Sequence, residues 1–276
     1  MSAITIRAFG LRDVPLFIRL QRHGVLFRLD QTLIRPRSPL WPALLSPFPW
    51  HGIGIATYVL TDRSRRQPAY GLVQMQKRPA RPEADLLFLA PHLDSHEDAG
   101  DIWYRLLSHC SQEAGQFGIQ RLYATLPDDA TMLEIFKQAG FSLYAKEDIF
   151  CLEQMALPMA NADESGLRPS REEDGWALQR LYAAYTPRLV QQAEGMMNGD
   201  AWPGRDTGAD LTFVLEKRGE IIGAVTLEMG ETGHWLRLQG NAQEIGPMKT
   251  LLLCGLKALP PAQPVYCAVR DYQGGL

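Results

Sequence analysis

The first residues alternate: from Ile4 to Phe9 apolar and polar positions trade places, and a period of two predicts a β-strand. Asp13 and Pro15 then open a helix with Val14, Phe17 and Ile18 on its apolar side, stopped by Gly24. The proline-rich stretch Arg35 to Pro49 predicts an irregular connection with room for a short helical segment. Runs at Ile53 to Thr61, Ala69 to Gln76 and Asp85 to Ala90, joined by turn-rich segments, predict an antiparallel meander. The period then lengthens. Ile102, Trp103, Leu106, Leu107, Cys110 and Ala114 fall at helical spacing, opposite Tyr104, Arg105, Ser108, His109 and Glu113. Gly115 and Gly118 end this helix before a strand at Ile119 to Leu126. Asp128 or Asp129 caps a further helix, with Met132, Leu133, Phe136 and Ala139 inward and Gly140 as its left-handed terminator. A hairpin of Phe141 to Tyr144 and Ile149 to Glu153 is expected to close the unit.

Ala156 to Gly166 has no period and reads as a linker, after which the pattern restarts. Ile6, Arg7, Asp13, Arg19 and Leu20 match Leu167, Arg168, Asp174, Arg180 and Leu181 at a constant offset of 161, which suggests duplication. Ser170 with Glu173 is expected to form a capping box, ahead of a helix with Ala177, Leu181, Ala184 and Tyr185 inward. A helix at Pro187 to Met197, strands at Leu211 to Glu216, Ile221 to Met229 and Trp235 to Gly240, a helix at Pro247 to Leu259 and a strand at Val265 to Arg270 follow. The expected architecture is therefore α/β in the α+β sense: a mixed, mostly antiparallel sheet flanked by helices, present as two tandem copies. Residues 1–155 form the complete copy, 156–165 the linker, and 166–276 a second copy about three elements short. Either further chain or the first copy is expected to supply these.

Composition narrows the function. The 276 residues are 46% hydrophobic and 21% charged, values that let each half build a core. Lys+Arg 28 against Asp+Glu 31 gives a net charge of −3, with no long-range field to gather nucleic acid or an anionic membrane. Arg63, Arg65, Arg66 and Lys77, Arg78, Arg81 fall in successive meander turns, at opposite sheet ends, and do not add up to one groove. Neither a signal segment nor an apolar run of spanning length is visible, so a cytoplasmic location is expected. Cys110, Cys151, Cys254 and Cys267 are scattered through apolar stretches and read as reduced, buried thiols. His92, Asp94 and His96 alternate as ligands on an extended segment could, but lack a fourth partner, and no metal is expected. Gly52-Ile53-Gly54 precedes a strand, so it is not a dinucleotide fingerprint. His23, His51 and His234 stand alone.

The run Leu106 to Leu152, with a helix, a strand and a second helix ending in Gly140-Phe141, resembles the C-terminal half of a GNAT-type acyl-CoA N-acyltransferase domain. The element order extends the resemblance over the first unit and most of the second. The resemblance implies a strand that splays from its neighbour so that backbone groups can pair with pantetheine, and a helix N-terminus that meets the pyrophosphate. In the first unit it points to Phe88, Leu89 and Ala90 on the strand and to Ala99 and Gly100 at the helix start. That loop is crowded by Asp94, Glu97, Asp98 and Asp101, which repel a diphosphate. In the second unit it points to Leu238 on the strand and to Gln243, Ile245 and Gly246, in the family's spacing of Gln or Arg, two residues, then Gly; Met248 stands where a small residue is usual.

For catalysis, the resemblance suggests Glu83 or Asp85 as general base and, because Phe136 occupies the usual general-acid position of the first unit, Tyr272 as the acid of the second. As solvated turn and edge residues, Glu83 and Asp85 would have no such role. The expected cosubstrate is acetyl-CoA or another acyl-CoA, and the expected partner a small-molecule or peptide amine, with neither nucleic acid nor membrane and with a homodimer as one arrangement. The contrasting expectation is a pseudoenzyme of the same fold that binds a ligand or a protein without turnover.

Overall fold

The structure is a computed structural model that describes residues 4–36, 38–45, 50, 54–64, 68–79, 81–152, 165–195 and 210–274. Gly52, Ile53, His51, Arg65, Arg66 and residues 153–164 of the expected hairpin end and linker lie outside them. The chain divides into two compact units, residues 1–32 with 36–142, and residues 33–35 with 143–276.

The first unit runs β1 (Ile4–Ala8), α1 (Val14–Leu20), β2 (Val25–Leu26), α2 (Leu29–Ile34), α3 (Leu40–Leu45), β3 (Ile55–Asp62), β4 (Ala69–Lys77), β5 (Glu83–Ala90), α4 (Ala99–Gln116), β6 (Arg121–Tyr123) and α5 (Ala130–Gln138). The last two residues of α2, Leu33 and Ile34, belong to the other unit. Its sheet has the order β1-β3-β4-β5, with both β2 and β6 on the far edge of β5. Pairing is antiparallel except between β5 and β6. One face packs α4 and α5: the six apolar positions expected on α4 are all buried, and Trp103, Leu106 and Leu107 meet Met75, Leu86 and Phe136 in one core. The other face gathers Phe9, Phe17, Ala43, Val59, Leu72 and Phe88. Asp129 caps α5 by accepting from the Met132 N–H at 2.7 Å. Gly140 follows it at φ +93°, where a side chain would be strained.

The second unit runs β7 (Glu147–Leu152), β8 (Leu167–Pro169), α6 (Gly175–Tyr185), α7 (Arg188–Ala193), β9 (Leu211–Lys217), β10 (Glu220–Met229), β11 (His234–Gly240), α8 (Ile245–Ala258) and β12 (Val265–Arg270). Its strand order is β7-β12-β11-β10-β9-β8, again with one parallel pair, β11 with β12. Here α8 covers one face through Met248, Leu251 and Leu256, and α6 the other through Leu178, Leu181 and Tyr182.

Several expectations are corrected. Phe141 to Tyr144 forms no strand, and β7 does not close a hairpin of the first unit: it pairs antiparallel with β12 from Val265↔Leu152 to Arg270↔Glu147. One of the elements missing from the second copy is thus supplied by residues read as part of the first. The inward stripe of α6 is Leu178, Leu181 and Tyr182, while Ala184 and Tyr185 are exposed. The N–H at its start is taken by Asp174, which accepts from Arg171 N at 2.7 Å, in place of a Ser170–Glu173 box. Cys110 and Cys267 are buried as free thiols, but Cys151 on β7 is exposed.

The duplicated signature has a structural meaning. Arg7 grips Asp13 with two hydrogen bonds of 2.6 Å, and Arg168 grips Asp174 with two of 2.7 and 2.8 Å. This fork tethers β1 to the start of α1 and β8 to the start of α6. The Asp174 carboxyl is held down to about 2, by the Arg168 hydrogen bonds first and then, against the opposing effect of burial, by the Arg171 N–H; Asp13 is lowered for the same leading reason.

Candidate functional site

Each unit has one parallel strand pair, and in each the two strands separate after a short stretch of pairing. In the first unit β5 and β6 pair from Glu83↔Arg121 to Asp85↔Tyr123. A bulge then shifts β5 against β4 between Gln74↔Phe88 and Met75↔Leu86, which bends it away. The gap so formed is filled by the chain itself. Val25 pairs with Leu89 and Leu26 with Phe88; the Phe27 N–H donates to the Leu87 carbonyl at 3.0 Å, and the Thr125 N–H donates to the Phe27 carbonyl at 3.3 Å. The Phe27 ring is buried against Trp103 and Phe136, at centroid distances of 5.9 and 5.5 Å. Gly24 lets this segment in: a Cβ there would lie 2.1 Å from the Phe88 ring.

The positions expected to meet pantetheine in this unit are therefore corrected. Phe88 and Leu89 pair with β2, and Ala90 is buried in the apolar core. Ala99 is buried, and the start of α4 at Gly100 stands beside Asp98 and Asp101, the latter held by Arg105 at 2.7 Å. These residues do not fit an acyl-CoA. Phe136 is core, as its neighbours show.

Glu83 and Asp85 lie in the paired stretch of β5, Asp85 in its last pair before the strands separate. Arg78 donates to Asp85 at 2.9 and 2.6 Å, and the Glu83 carboxylate lies 3.3 Å from Arg78, 3.9 Å from Arg81 and 3.5 Å from Arg121. Both carboxylates are thus held in ion pairs with arginines of the adjoining turn and strand.

The second unit differs. Pairing of β11 with β12 ends at Arg237↔Ala268, and beyond it no strand enters among the described residues. One side-chain amide bridges the two strands: the Arg270 N–H donates to Gln273 Oε1 at 3.0 Å, and Gln273 Nε2 donates to the Leu238 carbonyl at 3.1 Å. The gap thus presents one N–H and one carbonyl, on opposite strands, at the spacing of an amide. The start of α8 lies just beyond β11. Gln243, Ile245 and Gly246 are exposed there, no side chain caps the helix, and a Cβ built on Gly246 meets nothing within 4 Å. Uncapped first-turn amides are what a diphosphate needs, and the start of α8 has room for one.

Sequence reading missed a polar network at the end of β12. Arg270 donates to Glu147 at 2.9 Å, to Glu194 at 2.5 Å and to the Tyr272 hydroxyl at 3.0 Å, and Tyr182 donates to Glu194. Burial alone would weaken the Arg270 charge, but Glu194, Tyr272 and Glu147 together raise its pKa well above the usual value. Tyr182 is pushed up by burial first and by Glu194 next, so it keeps its proton. Tyr272 accepts from Arg270, which leaves its own proton to donate. Of the expected site residues, Leu238, Gln243, Ile245, Gly246 and Tyr272 all lie on the elements that border this gap. Among the described residues no group of three His, Cys, Asp or Glu side chains gathers as a metal would require, and no helix is long and apolar enough to cross a membrane.

No protein-family model matches the sequence, and no curated protein does. Solved structures do match by shape. A GCN5-related N-acetyltransferase from Sphaerobacter thermophilus is similar at 13% identity and a TM-score of 0.51, over 98% of this chain and 88% of that one. A tandem GNAT protein from the clavulanic acid biosynthesis pathway is similar at 14% identity and a TM-score of 0.46, over 97% and 90%. At such identity the likeness is one of architecture. The chain has the GNAT-type N-acyltransferase fold, and its two six-stranded sheets fit two tandem copies of it.

Proposed function

We propose that this protein is an acyl-CoA-dependent N-acyltransferase, using acetyl-CoA to modify a primary amine of a small molecule or peptide in the cytoplasm, with the second unit carrying the site. The observation that supports this most is the amide-sized opening between Leu238 and Arg270, with the uncapped start of α8 beside it. When bound, the cofactor supplies an acyl group as a thioester. Leu238 and Arg270 would hold its amide portion by their backbone groups, and the Ile245 and Gly246 amides its diphosphate. Tyr272, oriented by Arg270, holds a proton at its hydroxyl to give to a leaving group. The first unit, its gap filled by β2, has a structural role.

A reading as a non-catalytic binding module is favoured by the filled gap and by Phe136 in the core. Titration with acetyl-CoA followed by thermal melting separates the two: ligand at ~100-fold over its dissociation constant adds ~2.7 kcal/mol to the native state, which is several degrees for units of this size. Gly246→Glu is expected to abolish the shift and Gly100→Glu to leave it intact. Absence of any shift at millimolar acetyl-CoA rejects the transferase.

A further inference from the structure

Three side chains on β11 carry an imbalance that acyl-CoA binding does not use. Trp235, Arg237 and Gln239 alternate along the strand and so share one face of the second sheet. It is the face on which α6 packs, because Gln239 lies opposite Ala224, a member of the α6 core. Trp235 Nε1, Arg237 Nε and Gln239 Nε2 are buried and meet no acceptor among the described residues. All three atoms are donors, and a buried donor without an acceptor destabilises the fold that holds it.

Two neighbouring carboxylates, Glu147 and Glu194, are engaged by Arg270. Glu147 accepts from Arg270 at 2.9 Å and approaches Arg237 to 3.8 Å, too far for a hydrogen bond. Glu194 is taken by Arg270 and Tyr182, and Glu228, opposite Trp235, has an interaction of its own. Among the described residues Arg237 keeps an edge, at Nε, that meets no hydrogen-bond acceptor, its guanidinium 5.5 Å from the centre of the Trp235 ring. Nε forms one prong of the planar fork that arginine offers to a carboxylate.

We propose that this face binds a carboxylate, and that the acceptor amine is consequently a molecule of the amino-acid class, its carboxylate on Arg237 and Gln239 and its amine toward the gap beside Leu238. The carboxylate site stands on the unmet donors; its role in placing an acceptor rests on the transferase reading.

Calorimetric titration of the full chain with the common α-amino acids, each against its carboxamide, tests it. At least one carboxylate form should bind, on the order of 10-fold more tightly than its carboxamide, and Arg237→Gln and Gln239→Leu should each lose about as much, the usual scale of one charge-assisted hydrogen bond. A second readout needs no ligand: Gln239→Leu and Trp235→Phe should raise the melting temperature of the free protein by removing unmet donors. No binding by any amino acid, equal binding of carboxamides, or a lowered melting temperature in both of these variants overturns the proposal. Amino-acid binding without any response to acetyl-CoA keeps the site and rejects the transferase, whereas an acetyl-CoA response without amino-acid discrimination does the reverse.

Discussion

The two units share one frame and differ in what lies between their diverging strands. In the first, a backbone segment is laid in as an extra strand, anchored by a phenylalanine ring among Trp103 and Phe136. In the second, one glutamine side chain spans the same kind of opening with two hydrogen bonds. The first filling is part of the core; the second is a single rotatable group that can leave. A duplicated fold can thus keep its architecture in both copies while only one keeps an opening, because the sheet needs its strands paired but does not specify by what.

The sharpest way to break this comparison is to remove the filling. Phe27→Ala deletes a fully buried ring and should destabilise the first unit by about 3–5 kcal/mol, while the acetyl-CoA response of the second unit persists. If the variant instead acquires a second acetyl-CoA site by calorimetry, the units differ by their filling alone. Next in size is the repeated fork. Asp174→Asn should lower stability by about 2–3 kcal/mol, the scale of hydrogen bonds to a charged group, and Asp13→Asn should do the same in the first unit.

The pH dependence follows in sign. A carboxyl depressed in the folded state stabilises fully above its unfolded value, and that contribution is lost as pH falls through its folded value. For Asp174 the loss runs from 3.8 down to about 2. Acid melting of the wild type should therefore steepen across that window, and Asp174→Asn should flatten it. The smallest effect is expected from Gln273→Ala, which frees Leu238 and Arg270: acetyl-CoA affinity should rise several-fold, for a loss of about 1 kcal/mol in the free protein. Unchanged affinity would mean that Gln273 does not occupy the place of the ligand.

Much of the fold could be read from local pattern. The α4 stripe, the Asp129 cap, the Gly140 terminator and the Arg–Asp signature all depend on residues a few positions apart. What escaped depends on distant partners. β2 is two residues long, too short for any period, and is a strand only because β5 has an edge to offer. The runs Phe141 to Tyr144 and Ile149 to Glu153 suggest a hairpin, but periodicity carries no information about which strand lies alongside, and β12 is the partner of β7. The ion pairs of Glu83 and Asp85 depend on how Arg78 and Arg81 of the preceding turn and Arg121 of β6 are brought around them. Beside the gap, the family resemblance puts forward Gly246 and Gln243, and the place after a strand puts forward Tyr272. Gln273 as a bridge and Arg237 as an unmet donor have no such signal, since both properties arise from tertiary geometry.

The edge strand β7 has a consequence for how the chain comes off the ribosome. Its partner β12 is made more than a hundred residues later, so β7 waits with a bare edge until that strand has emerged. Nascent chains stalled before Val265 should therefore be the ones that chaperones hold and that clump when chaperones are withdrawn.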